Sequence, residues 1–259
     1  PVEGFDSRVI GCNDYEPATG SEIFIVTAGI ARKPGMSRDD LLKTNANIVK
    51  SVSKEIARVA PDSIVIVVSN PLDVMAYVAL QETGFERERV IGMAGVLDTA
   101  RFRSFIALEL GVSVEDIQAL VLGGHGDTMV PLVSYTTVSG IPLTQFIGPE
   151  KLEELIERTR KGGAEIVGHL KTGSAYYAPS AAAVQMTESI VKDKRRILPC
   201  AAYLQGEFGY NDIFLGVPCV LGAKGLEKII EVELTGAETE ALAESVSAVK
   251  DTMNSLESL

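Results

Sequence analysis

Ser63-Ile64-Val65-Ile66-Val67-Val68-Ser69-Asn70-Pro71 is an aliphatic run that stops abruptly in three turn-forming residues. It has no apolar/polar alternation, so it reads as a strand covered on both faces, the pattern of a parallel sheet. Pro71 then suits the first position of a helix, where the missing N–H costs nothing. That helix reaches about Thr83, with Gly84 as its stop. Upstream, Glu22-Ile23-Phe24-Ile25-Val26-Thr27 is a second run of the same kind, ending in the small residues Thr27-Ala28-Gly29. Between the two, Ser37 reads as the cap of a long helix with Asp39 and Asp40 in its first turn, where carboxylates suit the helix dipole. Leu41, Ile48, Val49, Val52, Ile56 and Val59 are its expected buried face, and Pro61 closes it. Downstream, Val90-Ile91-Gly92-Met93 reads as a third strand. Strands alternating with helices predict an α/β fold with a doubly wound parallel sheet, whose ligands sit beyond the C-terminal strand ends. Thr27, Asn70 and Met93 occupy such ends.

After Gly95 the pattern changes. A helix over 97–110 stopped by Gly111, an apolar strand over 117–122, a strand over 129–138, and helices over 150–171 and 173–193 are expected, with Pro179 kinking or interrupting the last. Antiparallel strands follow over 196–204, 213–217 and 229–234, then an amphipathic helix over 238–259. Near the N-terminus, Arg8-Val9-Ile10-Gly11 reads as a short strand. These readings divide the chain near Gly95 into residues 1–95 and an α+β part, 96–259.

The chain of 259 residues is 46% hydrophobic, enough for a sizeable core, and no apolar run approaches the roughly 20 residues of a membrane span. Pro1-Val2-Glu3-Gly4 has neither a basic start nor an apolar signal core, so a cytoplasmic protein is expected. A net charge of −11 argues against nucleic acid and anionic membranes as partners, although a local arginine cluster can still hold a small anion. Cys12, Cys200 and Cys219 form no CxxC pair and are expected to be reduced and buried, with no metal site.

Chemistry is concentrated in Leu122-Gly123-Gly124-His125-Gly126-Asp127-Thr128, a glycine-flanked turn carrying one of only two histidines. Imidazole is the side chain best suited to moving protons near neutral pH. Oxidation of a secondary alcohol beside a carboxylate needs a base, a partner for the resulting imidazolium, a cation for the carboxylate and a hydride acceptor. His125 can be the base, and Asp98 can hold its other ring nitrogen. Arg101, three residues on from Asp98, shares its helix face and can grip a carboxylate bidentately. Asn70 can donate to the substrate oxygen. His169, without a second histidine or cysteine at ligand spacing, reads as structural. Tyr176 and Tyr177 read as core residues, and Lys192, Lys194, Arg195 and Arg196 as a solvated helix end.

Four segments together, Ala31-Arg32-Lys33-Pro34-Gly35-Met36-Ser37-Arg38, Val68-Ser69-Asn70-Pro71, the stretch from Gly92 to Phe102, and Gly123-Gly124-His125-Gly126-Asp127, resemble the lactate and malate dehydrogenase superfamily, in particular its bacterial lactate-dehydrogenase-like malate dehydrogenases. The resemblance implies a Rossmann-type sheet followed by a catalytic domain, NAD as cofactor, and a small dicarboxylate as substrate. It assigns His125 and Asp98 to the proton relay, Arg101 to the substrate's C1 carboxylate, Arg38 to the reacting carbonyl and Arg32 to the substrate's other end. Asn70 matches a contact to substrate and nicotinamide, while Thr27, Ala28, Gly29, Asn45, Val68 and Ser69 match cofactor contacts. The helices around 41–59 and 150–171 resemble segments that pack between subunits, which implies a homodimer or homotetramer.

One part of the family pattern is missing. Its members open on a strand, a GxGxxG turn, a helix and an acidic residue ending the second strand, and this sequence contains no GxGxxG. At least one βαβ unit, roughly 30 residues, is therefore expected ahead of Pro1. Lactate or another 2-hydroxy acid is the alternative substrate. Two readings of another class are a hydrolase built on His125 and Asp98, which lacks any GxSxG or HExxH motif, and a non-catalytic assembly protein lacking a phosphate loop.

Overall fold

Successive residues of a strand point to opposite faces of a sheet, and in the aliphatic run both faces are covered. The computed structural model describes residues 6–30, 37–170 and 175–257. In it Ile64 and Ile66 enter one core while Val65 and Val67 enter the other. The elements are β1 (Ile23–Val26), α1 (Arg38–Val59), β2 (Ile64–Val67), α2 (Leu72–Thr83), β3 (Val90–Gly92), α3 (Gly95–Leu110), β4 (Ile117–Gln118), β5 (Val121–Leu122), β6 (Val130–Pro131), β7 (Thr137–Val138) and β8 (Ile141–Pro142). There follow α4 (Pro149–Leu170), α5 (Tyr177–Val191), β9 (Arg196–Gln205), β10 (Asn211–Gly222), β11 (Gly225–Ile229) and α6 (Gly236–Glu257).

The main sheet has six strands in the order β1-β2-β3-β9-β10-β11. The first three are parallel, as the strand-helix alternation predicts, and the remainder are antiparallel. The α/β expectation therefore holds, with one addition. The antiparallel strands join the edge of the parallel set through Gly92 and Ala201, so a single mixed sheet crosses the division near Gly95. Residues of α1 and α2 cover one face, and residues of α5 and α6 cover the other. A third core forms where Phe102 and Ile106 of α3 meet Ile117, Val138 and Leu155. Each such fully buried side chain contributes roughly 1.5–3 kcal/mol.

Local signals place several boundaries well. Ser37 and Asp40 form a reciprocal capping box at α1, and α2 and α3 end at Gly84 and Gly111. Other expectations are corrected by long-range packing. β1 lies at the sheet edge with Ile25 43% exposed, so it is not covered on both faces. Val9 and Ile10 are exposed, and 8–11 is not a strand, because no described strand lies alongside to take its hydrogen bonds. The buried face of α1 runs through Leu42, Asn45, Ala46, Val49, Ser53 and Ile56, leaving Leu41, Ile48 and Val52 half-buried. Pro71 caps α2 after a cis Asn70-Pro71 bond and is not its first helical residue.

The expected strand over 117–122 is two short strands in different sheets, and 129–138 is likewise broken by a 3-10 turn at Val133–Tyr135. Pro179 falls in the first turn of α5, where proline removes no helical hydrogen bond, so there is no kink. β10 is longer than expected, and the third antiparallel strand, β11, precedes 229–234 because it pairs back across a tight turn at Gly222 and Gly225. Tyr176 and Tyr177 are exposed and lie against each other, with ring centroids 4.5 Å apart. Cys200 and Cys219 are buried thiols, whereas Cys12 is exposed. Arg195 pairs with Glu227, and Lys192 and Lys194 pair with Glu188, so that segment is an exposed ion-pair network. No helix among the described residues is long and apolar enough to cross a membrane.

Candidate active site

The histidine-bearing turn is held by three successive backbone N–H groups, each donating to a different element. Gly123 N donates to Gly216 O of β10 at 2.9 Å, Gly124 N to Ser245 Oγ of α6 at 2.8 Å, and His125 N to Asp73 Oδ2 of α2 at 2.9 Å. Gly216 N returns a bond to Gly123 O at 3.0 Å. The approach requires glycine, because a Cβ on Gly216 would lie 2.5 Å from Gly123 O. Built from rigid elements in this way, the turn has little freedom to move its side chain.

His125 Nδ1 lies 2.7 Å from Asp98 Oδ2, and Arg101 Nη1 donates to Asp98 Oδ1 at 3.0 Å. One helical turn of α3 thus presents both the histidine's partner and a guanidinium, as the three-residue spacing requires. Asp98 is buried, and the His125 and Arg101 side chains are each 13% exposed. Arg101 reaches this position across α4, where a Cβ on Gly162 would lie 3.1 Å from Arg101 Cδ. No described residue bonds Arg101 Nε or the His125 Nε2. With a carboxylate on Nδ1, the ring keeps Nε2 for proton exchange.

The strand ends form the other half of the site. Ser69 Oγ donates to Ala28 O at 2.6 Å, tying the end of β2 to that of β1. Asn45 accepts from Ile30 N at 2.8 Å and donates to Ile30 O at 3.2 Å and to Asn70 O at 2.8 Å. Its amide hydrogens are thereby committed to the protein backbone, so Asn45 organises the two strand ends. Thr27, Gly29 and Asn70 remain exposed there, Ala28 and Val68 half-buried. Arg32 lies outside the described residues, as does the side chain of Arg38, whose backbone begins α1. His169 is exposed on α4, and Asp127 is exposed in the turn.

Asp73 is the site residue that sequence reasoning missed. It stands in the first turn of a helix, where an acid is ordinary, and the only signal was its place within the apolar stretch Leu72-Asp73-Val74-Met75-Ala76. In the structure it is buried, and its Oδ1 has no hydrogen-bond partner among the described residues. Burial pushes its carboxyl from 3.8 up to about 6, and the His125 amide and imidazole pull it back only in part. Burial also opposes charge on His125. The charge and hydrogen bond of Asp98, aided by Asp73, outweigh both that and the repulsion of Arg101, and hold the imidazole pKa above 6.5.

Both shifts act on stability in one direction. Folded protein holds the Asp73 proton between pH 3.8 and about 6, so stability falls as pH rises through that window. The His125 contribution is present below 6.5 and is lost as pH rises through its raised folded-state value.

Comparison with known proteins places this geometry in a family. Residues 3–92 match the lactate/malate dehydrogenase NAD binding domain, and residues 95–259 match the lactate/malate dehydrogenase alpha/beta C-terminal domain. The malate dehydrogenase of Roseiflexus castenholzii is 57% identical over 259 residues, covering 100% of this chain and 84% of that protein. The malate dehydrogenase of Bacillus cereus (strain ATCC 14579) is 59% identical over 256 residues, covering 99% of this chain and 82% of that protein. Among solved structures, malate dehydrogenase from Salinibacter ruber superimposes with a TM-score of 0.94 at 55% identity, covering 99% of this chain and 81% of that one. A lactate dehydrogenase from Cryptosporidium parvum, complexed with lactic acid and nicotinamide adenine dinucleotide, gives 0.95 at 42% identity, covering 99% and 82%. With both halves matched and relatives more than half identical along its length, the chain belongs to the lactate/malate dehydrogenase family.

Proposed function

We propose that this protein is an NAD-dependent malate dehydrogenase, interconverting (S)-malate and oxaloacetate. The observation that carries the reading is the His125–Asp98 pair at 2.7 Å with Arg101 on the same carboxylate, a proton acceptor and an anion clamp side by side. The names of the relatives favour malate over lactate. The small-residue strand ends, with Thr27, Gly29 and Asn70 exposed, Ala28 and Val68 half-buried and Ser69 and Asn45 buried beside them, fit the nicotinamide end of NAD, and these seven residues are its proposed contacts. NAD, when bound, supplies the acceptor for the hydride leaving C2 of malate.

His125 Nε2 takes the hydroxyl proton as that hydride departs, so an alcohol becomes a ketone with one hydride and one proton removed. Asp98 fixes the ring through Nδ1 and stabilises the imidazolium formed. Arg101 holds the C1 carboxylate, and Asn70 donates to the reacting oxygen. Arg38 polarises the carbonyl in the reverse direction, and Arg32 pairs the second carboxylate, which lactate lacks. The division near Gly95 leaves the cofactor contacts, together with Arg32, Arg38 and Asn70, in the first part and His125, Asp98 and Arg101 in the second.

Steady-state assay of the full-length protein with oxaloacetate and with pyruvate tests the reading. We expect preference for oxaloacetate, and in Arg32→Gln a lower kcat/KM for oxaloacetate with a higher one for pyruvate. Faster turnover of pyruvate by the unaltered protein would make it a lactate-type enzyme, and an unchanged ratio in the variant would remove Arg32 from substrate choice. We also propose a symmetric homodimer or homotetramer formed through α1 and α4. Light scattering reads it directly, and a monomer at micromolar concentration would refute it.

A further inference from the structure

A buried carboxylate oxygen without a partner is expensive, because no donor replaces the water that it lost. Asp73 Oδ1 has none among the described residues, and Oδ2 accepts from the backbone N–H of the residue that the proposed reaction depends on. The carboxylate also lies against the turn itself, with Oδ2 3.4 Å from where a Cβ on Gly124 would be. We infer that Asp73 is a second acidic positioning residue for His125, which fixes the histidine's backbone from α2 and places a second negative charge close to its imidazole.

The surroundings leave this role to few groups. α3 contributes Asp98 and Arg101, whose charges oppose one another at the ring. α6 contributes Ser245 and Val249, and β10 contributes the backbone of Gly216, none of them titratable. Asp127, within the turn, is exposed. Asp73 is therefore the acid that offsets Arg101 and leaves the Asp98 charge free to stabilise the imidazolium. The two groups are also coupled, since each charge favours the ionised form of the other. Protonation of His125 draws a proton off Asp73, so the site takes up less than one net proton when the ring is charged.

This inference rests on His125 being the proton-transfer group, and its test reads the ring separately from the reaction. The chain has only two histidines, so NMR titration with His169→Gln as the assignment control follows His125 alone. Asp73→Asn keeps an acceptor for the His125 amide but removes the charge. Its His125 midpoint should fall, with slow exchange of the His125 amide retained. The pH midpoint for malate oxidation should fall with it, and oxaloacetate reduction near neutral pH should drop several-fold. Asp73→Ala should in addition speed amide exchange at His125, and Asp73→Asn should rescue that exchange but not the midpoint. An unmoved midpoint in Asp73→Asn overturns the inference. A midpoint that moves while the pH–rate profile stays still upholds Asp73 and removes His125 from the proposed reaction.

Discussion

Replacing His125 by asparagine is expected to lower kcat in both directions by roughly two to four powers of ten, the range general acid–base catalysis supplies. Asparagine preserves the backbone N–H that Asp73 accepts and fills most of the ring's space, so the turn keeps its three anchors. What disappears is the proposed proton-exchanging Nε2 of a ring whose Nδ1 Asp98 holds at 2.7 Å. The melting temperature should fall modestly, because buried Asp98 loses its 2.7 Å partner while the Asp98–Arg101 ion pair remains, and the proposed substrate clamp, Arg101, is untouched. KM should therefore move less than kcat. In the unaltered enzyme malate oxidation needs the neutral ring and oxaloacetate reduction the charged one, so the two directions should show opposite pH trends about a midpoint above 6.5. A variant retaining more than a tenth of kcat, with its pH profile intact, would falsify the assignment of His125.

The second large effect concerns Arg101. Arg101→Leu should lower kcat/KM for oxaloacetate by about two to four powers of ten, equivalent to the roughly 3–5 kcal/mol of breaking a largely buried ion pair. Two losses combine in that figure. The substrate's carboxylate loses a bidentate donor, and Asp98 keeps only His125 as a partner, at 2.7 Å. Arg101 also opposes charge on His125, so its removal should raise the histidine's pKa and move malate oxidation to higher pH, a sign opposite to that of Asp73→Asn. Lysine should restore part of Asp98's ion pair but little substrate binding, because an ammonium lacks the planar fork. Binding of NADH, measured by fluorescence, should be unaffected. A change in kcat/KM below threefold, with the fold intact, would take Arg101 out of the substrate site.

Near-neighbour physics made much of this protein legible in its sequence. The unbroken aliphatic run 63–68 specified a strand covered on both faces, and the spacing of Asp98 and Arg101 specified one helix face. The glycine-flanked His125 marked a turn at the site, and Gly84 and Gly111 marked helix ends. Each of these signals operates within about one helical turn or one strand, and at these positions the packing agrees with it.

The tertiary structure decided what distant segments do to one another. His125 and Asp73 are 52 residues apart, and Gly124 and Ser245 are 121 apart, so nothing local marked either bond. Asn45 and Ser69, which the family resemblance assigns to cofactor contacts, also join Ile30, Ala28 and Asn70, because strand ends brought side by side leave carbonyls and amides needing partners. The same long-range pairing attached β9 to β3 and made one sheet of two halves, while Tyr176 and Tyr177, apolar enough for a core, were left exposed because no described element covers them. The elements follow from sequence because their hydrogen bonds and periodicity are local, whereas the polar anchors of the active turn depend on which elements the packed cores bring together.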